Sequence, residues 1–341
     1  MTVSMPEREI TQTGGSAESG TAADRPVVLI HRPIRSMPWS YEVERRILAD
    51  RGVRMVEPAD DAANQAALAD ADVVIACDKL TGDEISAIRR PAGIVAYSVG
   101  MDYIDQRTAE SRGITILNCP THNSEEVSDH AVTLLLAGNK RLLDLANAAA
   151  EGNWDVYTWP HLRKIHRMRG NTVGFIGMGR IGHKIARKLH GFGLRAIAYD
   201  PYINYTPDPW IDLVSIDDVM TKSNFIICAA SLTETSRGLL NDEQLGKVHG
   251  LYGFVNISRG GIVVESALKK ALDEGRIGFA ALDVRSPEPP DPKNDLLTGM
   301  PNVLLTQHIA ASSIESLEDI HSEAANQALI LLEQAGRLPK A

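Results

Sequence analysis

The stretch that most constrains this chain is Gly170 to Pro201, GNTVGFIGMGRIGHKIARKLHGFGLRAIAYDP. Thr172 to Ile176 is a short apolar run of the kind that forms a buried strand. Gly177, Gly179 and Gly182 follow in G-x-G-x-x-G spacing. From Arg180 the apolar residues Ile181, Ile185, Ala186 and Leu189 return at helical intervals, and a second run, Arg195 to Tyr199, ends at Asp200. The order is strand, glycine turn, helix, strand, acid. Gly177 permits the tight turn, Gly179 lets a pyrophosphate approach the backbone, and Gly182 lets helix and strand pack closely. The first helical N–H groups, near Arg180 and Ile181, face the phosphates with the helix dipole behind them. Glycines alone also mark ordinary turns. The flanking strand, the helix and the acid 18 residues after Gly182 together indicate a dinucleotide site. Asp200 can accept hydrogen bonds from ribose hydroxyls and would repel a 2′-phosphate, so NAD (NADH) is expected in preference to NADP.

The rest of the chain repeats the alternation. Upstream, apolar runs at 26–31, 53–56, 72–77, 94–98 and 114–117 read as strands, most of them separated by helix-forming stretches. Downstream, strands are expected at 225–228, 252–257, 277–284 and 303–306, with helices at 242–248 and 265–274. Such alternation implies parallel pairing, so the fold class is α/β with doubly wound sheets. Ser124 to Ala150 reads as one long connecting helix, interrupted near Gly138. Ser312 to Leu338 is helical by period, has no sheet of its own, and is expected to cross back onto the first domain. The expected division is a disordered tail at 1–25, a discontinuous substrate-binding domain at 26–121 and 310–341, and an NAD-binding domain at 122–309.

Charge and cysteine usage narrow the partners. A formal net charge of −9 argues against nucleic acid, and it means an anionic substrate needs a local positive site. Cys77, Cys119 and Cys228 lie in or next to apolar runs without C-x-x-C pairing, which suits buried reduced thiols in a cytoplasmic protein. The histidines show no metal-ligand spacing, so no metal is expected, and no apolar run suggests a signal peptide or membrane partner. Residues 152–170 carry His161, His166, Arg163, Lys164, Arg167 and Arg169, which read as a solvated basic loop in preference to a phosphate site.

Polar groups cluster beside strand ends. Arg259 follows a buried strand and precedes Gly260 and Gly261, at the sheet edge where open α/β folds bind ligands. A guanidinium there can grip a carboxylate at two points. Asp283 with the later Glu288, and His308 after the last strand, are the other two places.

With these residues in view, the chain resembles the D-isomer-specific 2-hydroxyacid dehydrogenases. The resemblance rests on VGFIGMGRIG, SLTETSRGLLN, NISRGGIVVESAL, AALDV with the later EP, and LTQHIAASS, in family order. The run Glu125 to His130 is similar to the branch holding C-terminal-binding-protein-like and phosphoglycerate-dehydrogenase-like members. The resemblance implies a Rossmann nucleotide-binding domain, a flavodoxin-like substrate domain and a cleft between them. It implies a catalytic set of Arg259, Glu288 and His308, with His308 as acid and base and Glu288 holding it. Substrate carboxylate contacts fall to Arg259 and to the N–H groups of Val99 and Gly100. Cofactor contacts fall to Gly177, Gly179, Arg180, Ile181, Gly182, Asp200, Ile257, Ser258 and Asp283, the last on the nicotinamide carboxamide. A homodimer built through the nucleotide domain and the long helix is also implied. Four positions depart from the family pattern: Gln307, Ala229-Ala230-Ser231, Arg285 and Tyr103. An extra cation at Arg285 could favour a second acidic group on the substrate, although a surface arginine is the plainer reading.

The expected function is interconversion of a 2-oxo acid and a D-2-hydroxy acid with NAD(H). A corepressor-type NAD-sensing protein on the same fold is the alternative, and a formate-type dehydrogenase is disfavoured by Glu288, since its relatives pair the histidine with Gln.

Overall fold

The computed structural model describes residues 25–35, 39–155 and 164–340. The expectation for the N-terminal tail falls outside those residues except at Arg25, as do those for His161 and Arg163.

Five short apolar runs form the first sheet: β1 (Val27–His31), β2 (Arg54–Val56), β3 (Val73–Ala76), β4 (Gly93–Ala96) and β5 (Ile116–Asn118). They pair in parallel in the order β2-β1-β3-β4-β5. The helices α1 (Glu42–Asp50), α2 (Asp61–Leu68), α3 (Gly82–Ala87) and α4 (Gln106–Ser111) cross between them. Side-chain caps start three of these helices, with Asp60, Thr81 and Asp105 each accepting a first-turn N–H.

The chain then enters α5 (Ser124–Lys140) and α6 (Leu142–Ala150). The interruption expected near Gly138 falls at Arg141. Arg141 takes a left-handed φ of 53° that ends one helix and starts the next. Gly138 is there for packing: a Cβ on it would lie 2.2 Å from the Phe279 ring. Helix α5 therefore sits directly on the second sheet, with Val127, Ala131, Leu134 and Leu135 in one core cluster with Phe175, Phe225 and Val255.

The second sheet holds β6 (Thr172–Ile176), β7 (Arg195–Tyr199), β8 (Ile211–Leu213), β9 (Phe225–Cys228), β10 (Leu251–Asn256), β11 (Ile277–Leu282) and β12 (Val303–Leu305). All are parallel, in the order β12-β11-β10-β9-β6-β7-β8. Strand β8 escapes a reading of the sequence because it is a three-residue edge strand with Asp212 at its centre. Helices α7 (Arg180–His190), α8 (Ile216–Lys222), α9 (Asp242–Gly246) and α10 (Glu265–Asp273) cover the faces. The last helix, α11 (Ile314–Gln334), returns to the first sheet. Its Ile320, Ala324, Ala328 and Leu331 share a core with Val28, Ile30, Ile75 and Val95, and a Cβ on Gly93 would lie 2.5 Å from Leu331. Burying Ile320 and Leu331 stabilises by about 1.5–3 kcal/mol each, which is why the segment returns.

In the second sheet the winding reverses between β6 and β9. A crevice opens there, outside the carboxyl ends of both strands, because the connecting helices leave in opposite directions.

Candidate active site

Gly177 ends β6 with φ +89°, and a Cβ on it would lie 2.5 Å from the Ala230 backbone that leaves β9. The two loops flanking the crevice therefore touch at a position only glycine can occupy. A Cβ on Gly182 would lie 2.9 Å from the Gly177 carbonyl oxygen, whereas a Cβ on Gly179 would meet nothing within 4 Å. Gly179 is also the N-cap of α7 and offers no side chain to its first turn. Open space in front of uncapped N–H groups is what a pyrophosphate needs. At the end of β7 the half-buried Asp200 accepts from Met178 N (2.9 Å) and Tyr202 N (3.0 Å). Each carboxylate oxygen keeps a lone pair for a ribose hydroxyl. The residues present fit a dinucleotide.

A cavity of about 830 Å³ runs from this crevice to the carboxyl end of the first sheet. Ile181, Ala230, Ile257 and Ser258 line it from the second domain, and Trp39, Tyr97, Val99 and Gly100 from the first. The Ser258 hydroxyl donates to the Ala230 carbonyl, which ties the loops after β9 and β10 together. Arg180 leans across to the first sheet and donates to the Pro120 carbonyl.

Arg259 sits where β10 ends. Buried Asn256 shapes its turn, accepting from Ser258 N (3.1 Å) and donating to the Arg259 carbonyl (3.2 Å). Gly260 follows because a Cβ there would overlap the Arg285 carbonyl at 2.0 Å. The guanidinium reaches the loop after β4, where its Nη2 lies over Gly100; a Cβ on Gly100 would come within 1.9 Å of it. Its Nε donates to Asp102 Oδ1 (3.1 Å) and its Nη1 to the Ser258 carbonyl (2.9 Å).

That loop is itself braced. Ser98 Oγ donates to the Gly100 carbonyl (2.5 Å) and Asn118 Nδ2 to the Val99 carbonyl (2.7 Å). The Tyr103 hydroxyl donates back to the Ala76 carbonyl (2.9 Å), and burial pushes its pKa up to about 12. With both carbonyls taken, the N–H groups of Val99 and Gly100 donate to no other described residue. Two N–H groups beside a guanidinium make an anion cradle.

His308 faces the same cavity with a left-handed φ of 53°. A non-glycine residue held there signals a conformation imposed by its surroundings. Asp283 imposes it. The Asp283 carbonyl accepts from His308 N (2.8 Å), while its carboxylate accepts from Ile309 N, Ala310 N (3.0 Å each) and Thr306 Oγ1 (2.6 Å), with His130 Nε2 beside it at 3.4 Å. Burial raises the Asp283 pKa, but the bonds from His130, Thr306 and the two N–H groups outweigh it and hold the carboxyl below its ordinary value. The His308 Nδ1–H donates to Glu288 Oε1 at 2.6 Å, so Nε2 is the nitrogen left for a substrate.

The expected residues thus come together around one cavity, with two differences. Asp283 lines the cavity, but its carboxylate is buried and committed to the His308 turn. Arg285 meets neither expectation. It is buried at 7% exposure, away from the surface and absent from the cavity wall, where Glu265 takes it at two points (2.9 and 3.0 Å) and Asp295 at a third (2.7 Å). Of the departures, Gln307 is exposed, and Ala229 and Ala230 line the crevice. In the basic segment, His166 stacks on Tyr252 at 3.5 Å and does not line the cavity. Asp102, Asn256, His130 and Thr306 fall in stretches that stand out in the sequence, but their roles, and that of Asn118, do not show there; for Asn256 a signal exists, since Asn readily bonds backbone two residues on.

Comparison with known proteins agrees with this geometry. The family model for the NAD-binding domain of D-isomer-specific 2-hydroxyacid dehydrogenases matches residues 132–310. A glyoxylate reductase from Korarchaeum cryptofilum is 34% identical over 249 residues, which is 72% of this chain and 75% of that protein. A D-3-phosphoglycerate dehydrogenase from Archaeoglobus fulgidus is also 34% identical over 249 residues, but only 46% of that longer protein is covered. The solved structure of an NADPH-dependent glyoxylate/hydroxypyruvate reductase from Sinorhizobium meliloti superposes with a TM-score of 0.76 at 27% identity, covering 92% of this chain and 96% of that one. A glycine loop, an anion cradle and a paired histidine on two parallel sheets, together with these matches, show that the chain belongs to the D-isomer-specific 2-hydroxyacid dehydrogenase family.

Proposed function

We propose that this oxidoreductase reduces a 2-oxo acid with NADH, and oxidises the D-2-hydroxy acid in reverse, with Arg259, Glu288 and His308 as its catalytic set. The observation that carries the reading is the His308–Glu288 pair at 2.6 Å on the same cavity as Arg259 and the open N–H groups of Val99 and Gly100. Bound nicotinamide supplies the hydride. Arg259 and the two N–H groups bind the substrate carboxylate, which holds the adjacent ketone in place and polarises it. His308 Nε2 gives a proton to the ketone oxygen in reduction and takes it back in oxidation, while Glu288 fixes the ring through Nδ1. Asp283 holds the turn that carries His308.

Asp200 supports NAD over NADP, since its carboxylate would face a 2′-phosphate. An NADPH-dependent relative shows that the family accommodates both cofactors, so the preference is this chain's own. The two sheets support a division into 26–121 with 310–341 for substrate and 122–309 for the dinucleotide. Exposed Leu142 and Leu143 on α6 support a homodimer through that region, and three free cysteines support a cytoplasmic setting. No helix among the described residues is long and apolar enough to cross a membrane. The corepressor alternative can keep the same three residues, so the support for turnover comes from relatives named as reductases and dehydrogenases.

The test is NADH oxidation, followed by absorbance, across a panel of 2-oxo acids. His308→Gln should lower kcat by about 10²–10⁴-fold and leave NADH affinity unchanged. A wild-type protein that binds NADH and reduces none of the panel would overturn the proposal.

A further inference from the structure

One polar group on the cavity wall takes no part in holding Arg259 or His308. It is His122, on the crossover from β5 to α5. The crossover is braced from α11, where Glu323 accepts from Thr121 N (3.1 Å), Thr121 Oγ1 (2.7 Å) and His122 N (3.0 Å). The ring is fixed as well, because its Nδ1–H donates to the Cys119 carbonyl at 2.9 Å. A carbonyl only accepts, so the proton of the neutral ring is on Nδ1 and Nε2 carries a lone pair. Burial lowers the His122 pKa and outweighs the Cys119 carbonyl and Glu323, which pull the other way, so the ring carries no charge at neutral pH. Nε2 has no partner among the described residues, and unlike the orphaned His31 Nδ1 it is not sealed in the interior. It opens onto the cavity that the ring lines.

A neutral acceptor repels the oxygens of a carboxylate or a phosphate, so it serves a donor. The place of the crossover says which one. On one side Arg180, in the first turn of α7, donates to the Pro120 carbonyl, so the loop lies against the uncapped N–H groups that fit a pyrophosphate. On the other side Cys119 N donates to the Ser98 carbonyl (3.0 Å) and Asn118 Nδ2 to the Val99 carbonyl (2.7 Å), so the loop also borders the anion cradle. A dinucleotide that reaches from that helix to that cradle has its nicotinamide ribose in between, since this sugar links the pyrophosphate to the hydride-carrying ring. Ala229, Ala230 and Ser231 line the same cavity from the loop after β9, and their small side chains leave room for a sugar.

We infer that His122 is a cofactor-binding residue whose Nε2 accepts a hydrogen bond from a hydroxyl of the nicotinamide ribose, and that it thereby ties the cofactor to the crossover between the domains. Glu323 and the Cys119 carbonyl position it. The inference rests on the dinucleotide reading and deepens it, adding a contact carried by the crossover and not by the second sheet.

The experiment is calorimetric titration of the whole chain with ADP, which carries the adenosine and the pyrophosphate, and with ADP-ribose, which adds the second ribose without the ring. His122→Asn keeps an amide N–H for the Cys119 carbonyl and removes the outward acceptor. Its affinity for ADP should equal that of the wild type, which also shows that it is folded. Its affinity for ADP-ribose relative to ADP should fall about 3–10-fold, the worth of one neutral hydrogen bond. His122→Gln carries an amide out to the reach of Nε2 and should recover part of that loss. NADH, followed by fluorescence, should lose affinity by the same factor as ADP-ribose. An unchanged ratio of ADP-ribose to ADP in His122→Asn would overturn the inference. A loss confined to NADH would assign Nε2 to the carboxamide and overturn it too, as would a loss confined to kcat/KM for hydroxypyruvate against pyruvate, which would mark a substrate hydroxyl. A wild-type protein that binds neither ADP nor ADP-ribose would remove the dinucleotide reading itself, and the inference with it.

Discussion

Glu288→Gln removes one negative charge from the His308 pair and leaves an acceptor of the same size in the same place. The bond it alters is short, 2.6 Å from His308 Nδ1 to Glu288 Oε1. A hydrogen bond to a charged group contributes about 1.5–3 kcal/mol, and a neutral one about 0.5–1.5 kcal/mol, so the change forfeits roughly 1–2 kcal/mol. Both side chains are partly exposed, at 42% and 36%, and water screens the pair, so the lower half of that range applies. The kcat for reduction should then fall about 5–15-fold, at 1.36 kcal/mol per factor of ten. NADH affinity, followed by fluorescence titration, should not move, because the glycine loop and Asp200 are untouched. The deuterium isotope effect with 4-deuterated NADH should rise, since the slowed step is the chemical one. Glu288→Ala removes the acceptor as well and should cost more, because the ring of a residue already held at φ 53° loses its tether. A kcat in Glu288→Gln within twofold of wild type, with an unchanged isotope effect, would refute the idea that the carboxylate acts through His308.

Three further outcomes follow from buried groups and from the cofactor loop. Burial raises the Glu84 pKa, but bonds from the Thr81 N–H and hydroxyl, from Gln65, and the nearby His31 charge outweigh it and hold the group at about 2, below its ordinary 4.5. The folded-state value is the depressed one, so its stabilisation is complete above about 4.5 and lost as pH falls towards 2; Glu84→Gln should cost about 3 kcal/mol at pH 7 in urea unfolding, and that deficit should shrink across this window. A pH-independent deficit would contradict this. Arg285→Leu strands the half-buried carboxylates of Glu265 and Asp295 and should destabilise by about 3 kcal/mol without altering kcat/KM for the 2-oxo acids reduced, so a changed kcat/KM would return Arg285 to the cleft. Asp200→Ser combined with Pro201→Arg should move the preference from NADH towards NADPH in kcat/KM, and equal use of both cofactors by the wild-type protein would defeat the Asp200 reading.

Local order was legible in the chain. The period of apolar residues placed the strands of both sheets, apart from β8, to within a few residues, because parallel strands buried on both faces leave continuous apolar runs. The glycine spacing before α7 was legible for a related reason: Gly177 answers a backbone demand that no other residue meets, since a Cβ there would lie 2.5 Å from the Ala230 backbone. Arg259 and His308 could be picked out because polar residues at the ends of buried strands sit at the ligand edge of such sheets. What stayed hidden was set by distance in space. Arg285 reads as a spare cation until its partners Glu265 and Asp295, 20 and 10 residues away in sequence, close around it. The α5–α6 break fell at Arg141 and not at the glycine because Gly138 answers to the ring of Phe279, far along the chain. Asp102 is one acid among many until the loop after β4 meets Arg259 across 157 positions. Propensity and period act between neighbours and are written in the sequence. Which charge meets which depends on how two sheets face each other, and only the tertiary structure decides that.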